Sequence, residues 1–486
     1  MTDPRRLVVL AVGTSAFRRP SSGAIDQIAR ATDLDILELA RDEEFSGEVG
    51  QQMLFRGVHG LTARNLLLVG FGDAPAEDGI RKAGIRAARV AYEIRAQEVA
   101  LPTPAGLPSG FDLASFARVF AGGFHFGDYR FDKYRTREEG DDYEGVDTIS
   151  ILFEQAGVEE NLEYARVLGD AVNYARDLVN EPAMVLTPGE LASRASALAD
   201  ELGLEATIFD GDAVQKEGFN LIWAVGKGSD NPPHLIHLVY RPEEPAERKI
   251  ALVGKGVTFD TGGYSMKPPK HMQNMHVDMA GGAAVLGAAH AIGRIEPDVE
   301  VHFIVPTAEN SVSGRATRPQ DIVRGYGDQT VQILNTDAEG RLILADALAY
   351  AQEQDVDAIV DLATLTGASV IALGEYTAAL FSNDDDLADG LLRGAHATGD
   401  DLWRMPLTPA IDAQLDTPFA DMKNVGKREG GAISAALFLK RWVTMDRWAH
   451  LDIAGPSLAE SEDNYRQAGA TGVGVGTLVE WVRSLA

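Results

Sequence analysis

Two glycine-rich segments of the sequence carry acidic and basic side chains that could do chemistry together. The first begins at Gly254-Lys255-Gly256, and the second is the run from Asn335 to Leu342. Together they hold four carboxylates and three cations, which are Asp260, Asp278, Asp337, Glu339, Lys255, Lys267 and Arg341. None of these is Cys or His, so the donors are hard oxygens and nitrogens. Carboxylates grouped in this way are typical of a two-metal centre that activates water for hydrolysis.

The overall composition indicates a globular protein and excludes several other classes. The 486 residues are 45% hydrophobic and 24% charged, which allows a large core spread over about two to three domains. The absence of Cys excludes disulfides, thiolate catalysis and zinc fingers. A net charge of -29 argues against nucleic acid and anionic membranes as partners.

The beginning of the chain predicts a strand and not a targeting signal. Arg5-Arg6 precedes the apolar run Leu7 to Val12, which superficially resembles a secretory signal. The six apolar residues are too few for the hydrophobic region of such a signal, and no small-residue cleavage site follows cleanly. No apolar run reaches the roughly 18 residues of a transmembrane helix. We therefore expect a cytoplasmic protein.

Alternating strand and helix patterns predict an α/β fold with a smaller N-terminal domain, 1–157. Its strands are expected at Leu7 to Val12 and Asn65 to Gly70, with a helix over Ile80 to Val99. The helical pattern over 158–180 predicts a linker helix.

Residues 181–486 predict a larger α/β catalytic domain with a mostly parallel central sheet covered by helices on both faces. Its strands are expected in apolar runs that include Asn220 to Val225, Ile250 to Val253 and Val331 to Leu334. Ligands of such sheets bind beyond the carboxyl ends of the strands, where the polar clusters of this sequence fall.

The spacing of the charged residues predicts how they reach one centre. Lys255 and Asp260 are five residues apart, so an unbroken strand would point them to opposite faces. We expect the flanking glycines to bend the backbone there. Asp337 and Glu339, at i and i+2, would share one side of an extended segment.

Several motifs together resemble those of the leucyl (cytosol) aminopeptidase family. The resemblance covers 165–486, and over the N-terminal domain it is only a general likeness. Its motifs are Gly254-Lys255-Gly256, Phe259-Asp260-Thr261-Gly262-Gly263, Ser265-Met266-Lys267, Asp278-Met279, Asn335 to Leu342, Asp361 to Gly367, Trp448 to Gly455 and Gly469-Ala470-Thr471-Gly472.

The resemblance implies two divalent metal ions per subunit, Mn or Zn. Asp260 and Glu339 would bridge the two ions. Lys255 and Asp278 would complete the shell of one ion, and Asp337 would complete that of the other. A lysine binds metal only as the neutral amine, so Lys255 is expected to be neutral when metal is bound.

The other residues that the resemblance implicates would act on the substrate. Lys267 would stabilise the developing oxyanion, and Arg341 would hold a bicarbonate that serves as general base. Residues expected to orient the substrate or line its side-chain pocket are Met275, Thr364, Leu365, Gly367, Ala454 and Ser457.

The implied function is a metal-dependent aminopeptidase that uses a metal-activated water. It would hydrolyse the first bond of peptides with leucine-like or other apolar N-terminal residues, and the family also implies a homohexamer. One alternative is a dipeptidase for substrates of the cysteinylglycine type. Another is a DNA-binding regulator with incidental peptidase activity, which the net charge of -29 disfavours.

Overall fold

The computed structural model describes residues 3–18, 23–32, 34–73, 76–137 and 142–486. The chain divides into two units, Met1–Asp170 with Glu462–Gln467, and Ala171–Ser461 with Ala468–Ala486. Within the described ranges, no helix is both long enough and apolar enough to cross a membrane.

The first unit is built on a mainly parallel sheet with the strand order β2-β3-β1-β4-β5. Its apolar strands β1 and β3 lie at the centre and are almost entirely buried. The strands are β1 (Asp3–Gly13), β2 (Gln52–Arg56), β3 (Ala63–Gly72), β4 (Glu98–Leu101) and β5 (Thr148–Ile151). The helices are α1 (Ser15–Arg18), α2 (Gly23–Thr32), α3 (Ile36–Asp42), α4 (Ala76–Glu93), α5 (Leu113–Asp128) and α6 (Val158–Asn180), of which α6 continues into the second unit.

The prediction of one helix over Ile80 to Val99 is wrong at its C-terminal end. The helix α4 ends at Glu93, and Arg95 adopts a positive φ of 56° that turns the chain. The following residues enter the sheet as β4, which pairs in parallel with β1 and β5. Sheet pairing therefore outweighs the helix propensity of this segment.

The second unit is built on a mixed, mostly parallel sheet. Among the described residues its strands follow the order β15-β14-β17-β13-β8-β10-β7-β6, with β9 also paired to β10. The strands are β6 (Glu205–Phe209), β7 (His234–Tyr240), β8 (Lys249–Gly254), β9 (Gly256–Asp260), β10 (Glu300–Asn310), β13 (Ala358–Ala363), β14 (Thr377–Ser382), β15 (Asp401–Arg404) and β17 (Trp448–Asp452). One small sheet consists of β11 (Ile322–Arg324), β12 (Thr330–Gln332) and β16 (Met422–Lys423). Another consists of β18 (Leu458–Ala459) and β19 (Gly469–Ala470).

Helices cover both faces of this sheet. Ile304 on β10 packs in one apolar cluster with residues of α9, α12 and α16, while the adjacent Val305 approaches Gly282 of α11. Successive residues of a strand point to opposite faces, so α11 lies on the face away from α12. The helices are α7 (Pro188–Leu202), α8 (Gly211–Lys216), α9 (Asn220–Gly226), α10 (Pro269–Met272), α11 (Ala280–Ile295), α12 (Gly340–Gln352), α13 (Gly367–Leu373), α14 (Asp385–Thr398), α15 (Pro409–Asp412), α16 (Gly431–Lys440) and α17 (Val475–Arg483).

The predicted α/β class and the helix-covered, mostly parallel central sheet are confirmed, but two strand assignments need correction. The run Asn220 to Val225 is the helix α9, because the buried Asp346 carboxylate accepts the backbone N–H groups of Leu221 and Ile222 and caps its first turn. The strand predicted at Val331 to Leu334 overlaps β12 and belongs to a small separate sheet.

A buried pair of histidines joins β7 to β10. The Nε2 atom of His237 lies 2.9 Å from Nδ1 of His302, whose Nε2 lies 3.0 Å from a carboxylate oxygen of Glu300. Burial, aided by His302, lowers the pKa of His237 from 6.5 to about 3. The fold therefore holds His237 as the neutral imidazole.

We expect this histidine to make the second unit sensitive to acid. Its folded pKa is below its unfolded value, so its stabilising contribution is complete above pH 6.5 and is lost as the pH falls towards 3. Between pH 7 and pH 5 the free energy of unfolding should fall by about 2 kcal/mol from this group. Guanidinium unfolding followed by tryptophan fluorescence measures the effect, because all five tryptophans lie in the second unit.

The variant His237→Gln should show a correspondingly smaller loss over the same interval. His271→Gln, at an exposed histidine, is the matched control and should keep the full loss. Equal losses in both variants would contradict the assignment to His237.

Candidate metal centre

Lys255 and Asp260 face the same side of the central sheet because a bulge separates them. Both β8 and β9 pair with β10, and Lys255 lies at their junction. Between Val257 and Phe259 the register advances by two residues on β9 but by one on β10. One extra residue, Thr258, reverses the alternation of side chains. This bulge, and not the expected bend at the glycines, brings the two side chains together.

The glycines beside Lys255 allow close packing instead. A Cβ atom at Gly254 would lie 2.4 Å from the carbonyl oxygen of Gly281, and the N–H of Gly282 donates to the Lys255 carbonyl at 2.7 Å. The start of α11 thus rests directly on the strand end. Asp278 lies in the 3-10 turn Met275–Met279 just before α11, so this packing brings it next to Lys255.

Asp337 and Glu339 lie in the loop between β12 and α12. Thr336 fixes this loop, since its hydroxyl donates to the Gly262 carbonyl at 2.7 Å and accepts from the Ser265 N–H at 2.8 Å. Glu339 already has helical backbone angles, φ -81° and ψ -38°. The two carboxylates therefore do not share a side through extended backbone, as the sequence suggested, but through the turn into α12.

Three carboxylates converge at one point. One oxygen from each of Asp260, Asp337 and Glu339 lies within 4.8 Å of the other two. Asp260 is fixed there, because its Oδ1 accepts from the Gly262 N–H at 2.8 Å and from the Asn310 side chain at 2.7 Å. Segments distant in sequence thus form one acidic cluster.

Lys255 is buried among carboxylates. Its Nζ lies 2.7 Å from Asp278 Oδ1 and 2.8 Å from Glu339 Oε1, and it donates to the Thr364 carbonyl at 3.0 Å. Burial acts to lower the pKa of Lys255, but the two carboxylates outweigh burial and raise it. Burial raises the pKa of Asp278 well above its ordinary range. Burial also opposes ionisation of Glu339, yet Lys255 and Lys267 hold its pKa below the usual value.

Lys267 joins the other two carboxylates. Its Nζ lies 2.8 Å from Asp260 Oδ2 and 2.7 Å from Asp337 Oδ1. Burial, together with the neighbouring Glu339, nevertheless raises the pKa of Asp260 to about 7, and burial raises the pKa of Asp337. Two lysines thus compensate the clustered carboxylates only in part, and the centre attracts further positive charge.

The donor set fits divalent metal ions. Asp278 Oδ2 and Glu339 Oε2 are buried, and neither accepts a hydrogen bond from any residue that the structure describes. Buried carboxylate oxygens in this state are costly unless a donor or a cation meets them. Carboxylates supplemented by one amine nitrogen suit ions such as Mn²⁺ and Zn²⁺.

Arg341 lies two residues after Glu339, and its guanidinium is buried. Its Nη1 donates to the Asn424 carbonyl at 2.8 Å, while its Nε has no hydrogen-bond partner among the described residues. Burial lowers the pKa of Arg341 to about 10, so it remains a cation at neutral pH. A buried cation with an N–H to spare can hold a small anion.

Two of the residues expected to contact substrate adjoin the 3-10 turn that carries Asp278. The hydroxyl of Thr364 donates to Asp278 Oδ1 at 2.8 Å. Met275 begins the 3-10 turn that contains Asp278. A third residue, Gly367, begins α13 shortly after Thr364.

The other three are linked through Asp452 at the end of β17. Its Oδ1 accepts the backbone N–H groups of Leu365 at 3.1 Å and Ala454 at 3.3 Å, and its Oδ2 accepts the Thr366 hydroxyl at 2.6 Å. Ser457 donates to the Ala454 carbonyl at 3.4 Å. The backbone after β13 is therefore held by a carboxylate that the sequence reasoning did not single out.

Three contributors to the centre were missed from the sequence. Asn310 and Asp452 are polar residues at the carboxyl ends of buried strands, a position that could have marked them. Asn424 follows the two-residue strand β16 and carried no such signal.

The sequence matches models of one protein family in both of its parts. The catalytic domain of the cytosol aminopeptidase family matches residues 173–479, and the N-terminal domain of that family matches residues 11–138. A probable cytosol aminopeptidase of Synechococcus is 44% identical over 479 residues, which cover 98% of this chain and 96% of that protein. One from Aquifex aeolicus is 40% identical over 461 residues, covering 94% and 92%.

Solved structures of similar proteins match almost the full length of the chain. A mutant of tomato leucine aminopeptidase matches with a TM-score of 0.88 and 36% identity, covering 99% of this chain and 94% of that one. The bottromycin maturation enzyme BotP in complex with Mn matches with a TM-score of 0.87 and 32% identity, covering 99% and 100%. The chain therefore belongs to the cytosol aminopeptidase family and is a metal-dependent aminopeptidase, as its motifs predicted.

Proposed function

We propose that this aminopeptidase uses two divalent metal ions to remove leucine-like or other apolar residues from the N-termini of peptides. The convergence of Asp260, Asp337 and Glu339 within 4.8 Å carries the proposal. The Mn in the complex of the similar enzyme BotP supports Mn as the metal, and Zn suits the same donors. The name that the relatives share supports a cytoplasmic location.

The ligands would divide between the two ions. Asp260 and Glu339 would bridge them, Lys255 and Asp278 would complete one shell, and Asp337 would complete the other. Lys255 must lose its proton to bind. From the ordinary lysine pKa this costs on the order of 4 to 5 kcal/mol at neutral pH, and the neighbouring carboxylates, which raise the pKa of Lys255, add to the cost that adjacent divalent charge must supply. The bound ions would act as Lewis acids towards the scissile carbonyl and would activate the attacking water.

Lys267 would stabilise negative charge during the reaction, and Arg341 would hold the group that accepts the proton. The Lys267 side chain keeps 16% of its surface exposed, so its ammonium can reach a substrate oxygen and stabilise the charge that develops there. The buried Nε of Arg341 has no hydrogen-bond partner within the part of the chain that the structure describes, which suits a bicarbonate acting as general base. No carboxylate of the cluster then has to accept the proton.

The substrate would lie along the backbone after β13. Thr364, Leu365 and Gly367 would orient the peptide, and its first side chain would enter a pocket lined by Met275, Ala454 and Ser457. The peptide α-amino group has an ordinary pKa of about 8 and would bind near Lys255 only when unprotonated. We therefore expect activity to be favoured at mildly alkaline pH.

Assembly into a homohexamer is part of the proposal. Ile371 on α13, Tyr376 in the following turn and Trp403 on the edge strand β15 are 84%, 59% and 64% exposed. Large apolar side chains exposed on neighbouring elements are typical of contacts between copies. Light scattering of the purified protein measures the assembly.

Metal removal should abolish hydrolysis of leucine p-nitroanilide, and Mn or Zn should restore it. Glu339→Gln removes one of the two bridging charges, so its activity should stay at least about a hundred-fold below wild type at saturating metal. Glu190→Gln on α7, where the carboxylate pairs with Arg194, is the matched control and should respond like wild type. Metal-restored activity in Glu339→Gln would exclude the proposed centre.

The apolar preference should appear in a panel of peptides that differ only in the first residue. Peptides that begin with leucine or methionine should exceed those that begin with aspartate or lysine in kcat/KM by about 10- to 200-fold, which is the usual discrimination by a hydrophobic pocket. Cysteinylglycine belongs in the same panel. Turnover largely confined to dipeptides would favour the dipeptidase instead.

Gly340→Ala should weaken metal binding without unfolding the protein. Its Cβ would lie 2.5 Å from Cε and 2.6 Å from Nζ of Lys255, so the flexible end of that side chain must move. The metal concentration for half-maximal activity should rise about ten-fold or more. Gly122→Ala on α5, where a Cβ meets nothing within 4 Å, is the control. Unchanged metal dependence in Gly340→Ala would argue against Lys255 as a ligand.

A further inference from the structure

Asn424 is a fully buried amide at the end of the small sheet β11-β12-β16. It follows β16 directly, and its backbone N–H donates to the Gln332 carbonyl at 3.1 Å, which extends the parallel pairing of β16 with β12. The pairing brings its side chain beside the chain as it leaves β12 for the loop that holds Asp337 and Glu339.

The side chain of Asn424 spans this loop from its beginning to its end. Its Oδ1 accepts the N–H groups of Leu334 at 2.8 Å and Asn335 at 3.3 Å. Its Nδ2 donates to the carbonyls of Asn335 at 2.6 Å and Ala338 at 3.4 Å. One amide thus makes hydrogen bonds with backbone groups at the start of the loop, as a neighbouring strand would, and also with the residue before Glu339.

The backbone of Asn424 also holds Arg341. Its carbonyl accepts from Nη1 of Arg341 at 2.8 Å, which is the only protein hydrogen bond recorded for that guanidinium among the described residues. One residue thus contacts both the guanidinium and the loop that holds Asp337 and Glu339.

We propose that Asn424 is a positioning residue for the peptidase reaction. It sets the two loop carboxylates and the Arg341 guanidinium in one arrangement, although it contacts no reacting atom itself. The inference rests on the proposed function, since it takes those three side chains as metal ligands and anion holder. Residues that orient metal ligands through hydrogen bonds contribute about 10- to 100-fold to metal affinity or activity.

The substitution Asn424→Ala removes the amide and leaves the backbone carbonyl. With the amide gone, we expect kcat for a leucyl peptide to fall about 10- to 100-fold. KM should change less than about three-fold, because the residues after β13 that would orient the peptide are held by Asp452 instead. The dissociation constant for Mn, measured by isothermal titration calorimetry in the absence of substrate, and the Mn concentration for half-maximal activity should both rise by about ten-fold or more.

Asn383→Ala is the matched control. The Asn383 side chain also joins two segments, donating to the Met445 carbonyl at 3.1 Å and accepting from the Trp448 N–H at 2.8 Å. These bonds lie at the start of β17, at the opposite end from Asp452. Both variants lose a structural amide, so both should lower the melting temperature, but only Asn424→Ala should change kcat at saturating Mn below that temperature.

A second variant keeps the inference testable if Asn424→Ala does not fold. Asn424→Asp retains the shape and the acceptor for Leu334 and Asn335, but its ionised carboxylate cannot donate to the Asn335 and Ala338 carbonyls. We expect its kcat to fall at least about ten-fold with a small change in KM. Wild-type kcat and Mn dependence in Asn424→Asp, or a kcat in Asn424→Ala equal to that of Asn383→Ala, would overturn the inference.

Glu339→Gln, measured in the same assay, separates this inference from the proposed function. Wild-type activity in Glu339→Gln would overturn the proposed centre itself. An inactive Glu339→Gln beside an Asn424→Ala that matches its control would overturn only the role of Asn424.

Discussion

The burial of several carboxylates in one crowded centre is the constraint on which the rest of the structure depends. Burial disfavours ionisation, and the like charges close by add to the cost, as the raised pKa values of Asp260 and Asp278 show. Such a cluster persists only if every carboxylate is held from outside. Backbone N–H groups, the amide of Asn310 and two lysines supply that support. They come from segments that meet at the carboxyl ends of β8, β9 and β10.

The groups that hold Asp260 are of two kinds. Asp260 is held by the Gly262 N–H and the Asn310 amide, which are fixed by the backbone and by a buried strand end. Lys267 holds the same residue through a long side chain that remains partly exposed. The position of Asp260 is therefore set by the fold, while the Lys267 ammonium meets the centre through ion pairs with Asp260 and Asp337.

The sequence predicts the charged residues of the centre better than the hydrogen bonds that join distant segments around it. A centre with Lys255, Asp260 and Glu339 is predicted because these charged residues occur together in glycine-rich motifs, and the family match bears out the aminopeptidase that the motifs suggest. The sequence predicts a strand where α9 lies because a short apolar run suits either element, and Asp346, which caps the helix, lies far along the chain. Asn424 was missed for the same reason, since hydrogen bonds between distant segments leave no local pattern.

The bulge at Thr258 limits how this segment of the chain can vary in length. Side chains alternate with a period of two along a strand, and the extra residue supplies the half period that turns Lys255 and Asp260 to one face. While the bulge is present, deletion or insertion of one other residue between them would send one of the pair to the opposite face. Loss of the extra residue itself would instead leave an unbulged strand, whose even spacing also places both side chains on one face. An odd separation in sequence between Lys255 and Asp260 therefore requires the bulge, whereas an even separation would require an unbroken strand.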